Sequence, residues 1–204
     1  MVTKEYSKLY VTIIFILSVF CLFLIGIEAK NRKTVASKTV FSNTGLSAYE
    51  RIISGLETDN LTINIETVLR SFHNRQLYVL KDIIHKDSLY LIFRSPLSHC
   101  GACINTILEK LHEYKESIPC IQIIVLVSDA PVREQRIRML PFEDKFRMYS
   151  LLLHDFGLPP ENLFVPYFLF INDGETAKHT FIVESDSIEL IENYLQMLSK
   201  KYCQ

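Results

Sequence analysis

The run "CIQIIVLVSD", residues 120–129, constrains this chain more than any other segment. From Ile121 to Val127 only Gln122 is polar, so the apolar residues do not alternate with polar ones. A strand with one wet face alternates; a strand apolar at nearly every position has both faces covered. Covering both faces takes helices on either side of a sheet, which makes an α/β layer fold the expected class.

The flanking segments supply suitable partners. "SLYLIF" and "QLYVLKDII" are short aromatic and β-branched runs and predict strands. "RMYSLLL" predicts a further short strand. "VPYFLFIND" and "KHTFIVE" predict two strands joined through "DGETA", a hairpin with Gly174 in its turn. Helical spacing appears in "CGACINTILEKLHEY", where Cys103, Ile104, Ile107, Leu108 and Leu111 share a face. "PVREQRIRMLPFEDKF" opens on Pro131 and predicts a helix ending near Pro141. Ile188, Ile191, Tyr194, Leu195 and Leu198 predict a closing amphipathic helix. Ile65, Val68, Leu69 and Phe72 also fit helical spacing, so a short helix is expected there.

The N-terminus is of another kind. Residues 10–27, "YVTIIFILSVFCLFLIGI", form an apolar run without a charge, long enough to cross a bilayer as one helix. A secretory signal sequence is the alternative, but "GIEA" has Ile27 where a small residue is usual before cleavage. Residues 1–9 are then an N-terminal tail, 10–27 a transmembrane anchor, 28–58 a polar linker and 59–204 the folded domain. Lys4 and Lys8 precede the span, while Lys30, Arg32, Lys33 and Lys38 follow it. Counted alone, that charge bias would hold the domain in the cytoplasm. A short leading tail before a single apolar segment is the usual arrangement for export, and an exported domain is the expectation. With 22% charged residues and a net charge of -1, the chain offers no basic excess for nucleic acid.

The five cysteines are sparse and odd in number, unlike the framework of a small secreted scaffold. Two of them, Cys100 and Cys103, lie where "LYLIFRSPLSH" gives way to a helical pattern. The free amide N–H groups and dipole of a first helical turn stabilise a thiolate. A second thiol one turn on can resolve a mixed disulfide, so the spacing suits reversible dithiol chemistry with Cys100 as nucleophile and Cys103 as the more buried partner. Half of a zinc site is an alternative, but no second Cys/His pair follows at finger-like spacing. Two core cysteines brought close by chance is another.

"LYLIFRSPLSHCGACINTILEKL" followed by "VPYFLFINDGE" resembles the thioredoxin-like superfamily, in particular the membrane-anchored, periplasm-facing branch related to TlpA and ResA. The resemblance covers residues 77–198 and implies a thioredoxin-like fold with a central mixed sheet covered by helices. It implies that Pro166 is cis and lies against the cysteine pair, shaping a substrate groove, with Val165 giving the backbone contact beside it. His99 replaces the aromatic residue usual before the first cysteine, and Ala102 replaces a common proline. His99 is a candidate for tuning the Cys100 thiol. The acid that many thioredoxins keep beneath the site has only loose counterparts in Asp82 and Glu109.

The resemblance implies a membrane-tethered thiol–disulfide oxidoreductase acting on cysteines of other proteins and served by a redox partner protein, without cofactor, metal or nucleic acid. A peroxidase of the peroxiredoxin class would want a threonine at position 97, which holds Leu97. Copper delivery would want a longer spacing between the cysteines. A binding or redox-sensor module without catalysis, built on the same fold, is the alternative from a different class.

Overall fold

The computed structural model describes residues 48–96, 100–128, 131–151, 156–183 and 188–203, all within one unit, Gly45–Gln204. The expected anchor at 10–27 and His99 lie outside the described residues. Among the described residues no helix is long and apolar enough to cross a membrane.

The chain opens with helix α1 (Ala48–Thr58), followed by strands β1 (Val68–Ser71), β2 (Leu77–Val79) and β3 (Leu89–Pro96). Helix α2 (Gly101–Tyr114) leads to β4 (Ile121–Ser128), α3 (Val132–Met139) and β5 (Arg147–Leu151). The short α4 (Pro159–Asn162), β6 (Tyr167–Ile171), β7 (Lys178–Ile182) and α5 (Ile188–Tyr202) complete it. The strands form one seven-stranded mixed sheet in the order β2-β1-β5-β4-β3-β6-β7.

β4 sits at the centre, as its composition requires, with parallel neighbours β3 and β5 on either side. Its side chains divide between two cores. Ile121, Ile123, Val125 and Val127 meet Ile104, Ile107, Leu108 and Leu111 of α2 and Ile191, Leu195 and Leu198 of α5. Ile124 and Leu126 join Leu69, Leu80, Tyr90, Ile92 and Phe156 on the other face. Each fully buried Leu, Ile or Phe stabilises the fold by roughly 1.5–3 kcal/mol. The two cores on opposite faces are therefore the main force holding β4 in place.

β6 runs antiparallel to β3, and β7 antiparallel to β6. In the β6–β7 turn Asp173 Oδ1 accepts from the amides of Glu175 and Thr176 at 3.1 and 2.8 Å, and Gly174 takes a φ of +85. A strand, helix and parallel strand followed by an antiparallel hairpin and closing helix make a thioredoxin-like α/β fold. Strands β1, β2 and β5 extend that sheet on the side of β4 away from β6, while α1 lies against β7 at the other end.

Two expectations are corrected. Residues 68–71 are a strand, not part of a helix: they pair with both β2 and β5, so their amides and carbonyls are used sideways. Residues 48–58, expected as linker, form α1. Its packing face is Ser54, Gly55 and Thr58, all buried, rather than an apolar stripe. At Gly55 the Thr180 carbonyl oxygen lies 2.9 Å from where a Cβ would stand, so only glycine lets α1 approach β7 this closely.

Candidate functional site

Pro96, the last residue of β3, pairs with Ser128, the last of β4, so both parallel strands end at one edge of the sheet. Cys100 caps α2 at that edge with φ -50 and ψ 117, outside the helical region. Its Sγ accepts from the Cys103 amide at 3.4 Å, and its carbonyl accepts from the Ile104 amide at 3.1 Å. The sulfur thus replaces the side-chain oxygen found at most helix starts. Cys100 is exposed and Cys103 half-buried, and both are free thiols.

The surroundings lower the Cys100 pKa. The Cys103 side chain contributes most, then the Cys103 amide; burial, next in size, opposes them, and the Ala102 amide and then the Arg138 charge assist to a smaller extent. Arg138 reaches the site from α3. Its Nη1 lies 3.6 Å from where a Cβ on Gly101 would stand, and its Nη2 is 2.7 Å from Glu134 Oε1. Sequence spacing gave no hint that α3 would bring a cation to the start of α2.

Pro166 is buried directly before β6. Arg94 of β3 pairs with Tyr167, and one further step along the same antiparallel register puts Pro166 opposite Ser95. The proline therefore belongs to the same edge as the cysteine pair. Its peptide bond is trans, contrary to the expectation of cis; no cis peptide occurs among the described residues. Trans is the lower-energy X–Pro isomer by about 0.5–1 kcal/mol. Two residues earlier Phe164 has a φ of 52, in the left-handed region. The Pro166 carbonyl accepts from the Val183 amide at 2.9 Å. Val165 is half-buried, and among the described residues its backbone makes no backbone hydrogen bond.

Asp82 and Glu109 are both exposed, so neither is an acid beneath the site. The buried acid is Glu161 of α4, whose Oε1 lies 3.5 Å from Arg94 Nε, with both side chains less than a tenth exposed. Tyr90 and Ile92, alternating with Leu91 and Phe93, place Arg94 on the sheet face away from α2. Among the described residues no group of three His, Cys, Asp or Glu gathers to hold a metal.

Cys120 and Cys203 form a disulfide across 83 residues, with a Cα–Cα separation of 5.5 Å. It stands at the opposite end of β4 from the free thiols. β4 is eight residues long, which at about 3.3 Å per residue separates its first and last residues by about 23 Å. The sequence reading assigned neither cysteine a partner.

No protein-family model and no curated protein matches the chain. Among solved structures, a secreted disulfide oxidoreductase of Mycobacterium tuberculosis is similar at 10% identity and a TM-score of 0.48, over 66% of this chain and 97% of that one. A thiol peroxidase from Chromobacterium violaceum is similar at 16% identity and 0.47, over 69% and 86%. The thioredoxin domain of a Bacteroides vulgatus thiol-disulfide oxidoreductase is similar at 12% and 0.44, over 66% and 98%. At identities this low the chemistry rests on the chain's own residues.

Proposed function

We propose that the protein is a thiol–disulfide oxidoreductase acting on cysteines of other proteins through Cys100 and Cys103. The observation that carries this reading is the exposed Cys100 sulfur at the start of α2, accepting from the amide of a second free thiol one turn on. In the reducing direction, the Cys100 thiolate attacks a substrate disulfide. One substrate sulfur bonds to Cys100 and the other leaves as a thiolate that takes up a proton. Cys103 then loses its proton and attacks Cys100, releasing the second substrate thiol and leaving Cys100–Cys103 oxidised. Two electrons pass from the protein to the substrate, and a redox partner protein restores the dithiol. The backbone of Val165, without a backbone hydrogen bond among the described residues, suits an extended substrate segment lying along the edge of the site.

Placement outside the reducing cytoplasm, tethered by residues 10–27, belongs to the same proposal. The Cys120–Cys203 disulfide supports it, because such bonds persist in oxidising compartments. Alkaline phosphatase fused after residue 204 should be active in cells; an inactive fusion with intact protein would put the domain in the cytoplasm.

The activity itself is tested by insulin reduction with dithiothreitol, using the full chain in non-ionic detergent. The wild type should shorten the lag before precipitation, and Cys100→Ser should return it to the uncatalysed value. A wild type no faster than Cys100→Ser would favour the non-catalytic binding or sensor module.

A further inference from the structure

On the face of the sheet that carries α2 there is a second concavity, separated from the thiols by α3. Arg70 of β1 pairs in register with Ser150 of β5, so the two side chains stand together on this face and form its floor. Arg133 and Arg136, one turn apart on α3, form a wall, and Arg75 enters from the β1–β2 turn. The space is about 460 Å³, within the range of roughly 300–1,000 Å³ usual for small-ligand sites.

Its charge is one-sided. Four arginines line it and no Asp or Glu does. None of the four forms an ion pair among the described residues. Arg138, on the same helix but directed to α2, is paired with Glu134 at 2.7 Å. The chain as a whole carries a net charge of -1, so this is a local concentration rather than general basicity. Like charges gathered in one hollow repel, and an anion that enters relieves the repulsion while being held by forked, charge-assisted hydrogen bonds. Arg75 also holds a φ of 59, an uncommon conformation for a residue with a long side chain, tied by its amide to the Ser71 carbonyl at 3.1 Å. Phe72 and the exposed Leu77 add an apolar side to the hollow.

We propose that this concavity is a binding site for a small molecule with two or more phosphate or carboxylate groups on a partly apolar body. One oxyanion group cannot engage four guanidinium forks at once, which is why the ligand is multiply charged. Neither Cys100 nor Cys103 is among its lining residues, so the proposal does not rest on the thiol chemistry.

The test is isothermal titration calorimetry of the full chain in non-ionic detergent, at low salt, with pyrophosphate and citrate as probes. At least one probe should saturate at one per chain, and the choice between them tells phosphate from carboxylate. Binding should weaken at least tenfold in Arg133→Gln/Arg136→Gln. It should stay within twofold in Lys81→Gln/Lys86→Gln, which removes the same charge elsewhere. If the arginine variant fails to fold, p-hydroxyphenylglyoxal labelling of the wild type replaces it: the bound probe should protect Arg70, Arg133 and Arg136. No saturable binding of either probe, unchanged affinity in the folded arginine variant, or no protection would overturn the proposal. Binding of an acidic peptide alone, with neither probe bound, would overturn it too.

Discussion

The Cys103 amide donates to Cys100 Sγ over 3.4 Å, so the backbone of the second cysteine helps to hold charge on the first. Together with the Cys103 side chain, the Ala102 amide and Arg138, it sets the Cys100 pKa below the ordinary value. Alkylation rate against pH should therefore show a midpoint under about 8.5 for Cys100. Arg138→Gln should move that midpoint upward by a small amount, since its charge contributes least. A wild-type midpoint at or above 8.5 would remove the thiolate argument.

On the proposed mechanism the difference in exposure divides the work between the two thiols. Cys103→Ser should accumulate a mixed disulfide with a protein substrate, seen as a reductant-sensitive band shift. Cys100→Ser should accumulate several-fold less, because its remaining thiol is half-buried. Equal trapping by the two variants would show that the roles are not separated.

The Cys120–Cys203 bond closes 83 residues. In the chain-entropy description a loop of that size corresponds to about 4.5 kcal/mol of stabilisation. Urea unfolding of Cys120→Ser/Cys203→Ser should show a loss of a few kcal/mol, with insulin reduction by the folded variant unchanged. A loss under about 1 kcal/mol would mean the unfolded chain gains little freedom when the bond is absent.

α1 rests on β7 through a glycine. Gly55→Ala sets a methyl 2.9 Å from the Thr180 carbonyl oxygen, and neither backbone can yield cheaply. The expected cost is about 1–3 kcal/mol, read from denaturant midpoints. Among the described residues Gly101→Ala meets the end of the Arg138 side chain, Nη1 at 3.6 Å and Cζ at 3.9 Å, and should change stability little. Equal effects would mean that α1 adjusts freely on the sheet.

Near the disulfide, His179 Nε2 lies 2.9 Å from the Tyr202 hydroxyl and 3.1 Å from Lys201 Nζ. Burial, then the Lys201 charge, lowers its pKa below 6.5, with Asp59 opposing and Lys178 assisting. The unfolded chain therefore takes up the proton first as pH falls. The contribution of His179 is complete above about 6.5 and is lost as pH drops through the lower folded value. Unfolding midpoints should decline from pH 7 to pH 5, and His179→Gln should flatten part of that decline. Identical profiles would exclude His179 as a source.

The readable parts of the sequence were those where one pattern decides. Seven residues of β4 without alternation implied a covered central strand, and the stripe from Ile104 to Leu111 implied α2. Residues 68–71 misled because a four-residue strand is too short to show alternation, while Ile65, Val68, Leu69 and Phe72 satisfy a helical period. α1 was hidden by its small, polar packing face, which reads as linker until Thr180 is placed against it. The trans bond at Pro166 overturned an expectation that came from the resemblance alone, and the left-handed Phe164 two residues before it is not signalled by its residue type. Arg138 beside Gly101, and Cys120 beside Cys203, are long-range meetings that local pattern does not contain.

The Cys120–Cys203 bond also fixes what a single proteolytic cut can do. A cut anywhere from 121 to 202 leaves a main-chain break but one covalent molecule. The fragment bearing Cys100 and Cys103 remains fastened to the one bearing the C-terminal helix. For cuts up to residue 165 that second fragment includes Pro166. Nicked chains would then run as intact on a non-reducing gel and as two pieces after reduction, with the cysteine pair and Pro166 still part of one covalent molecule.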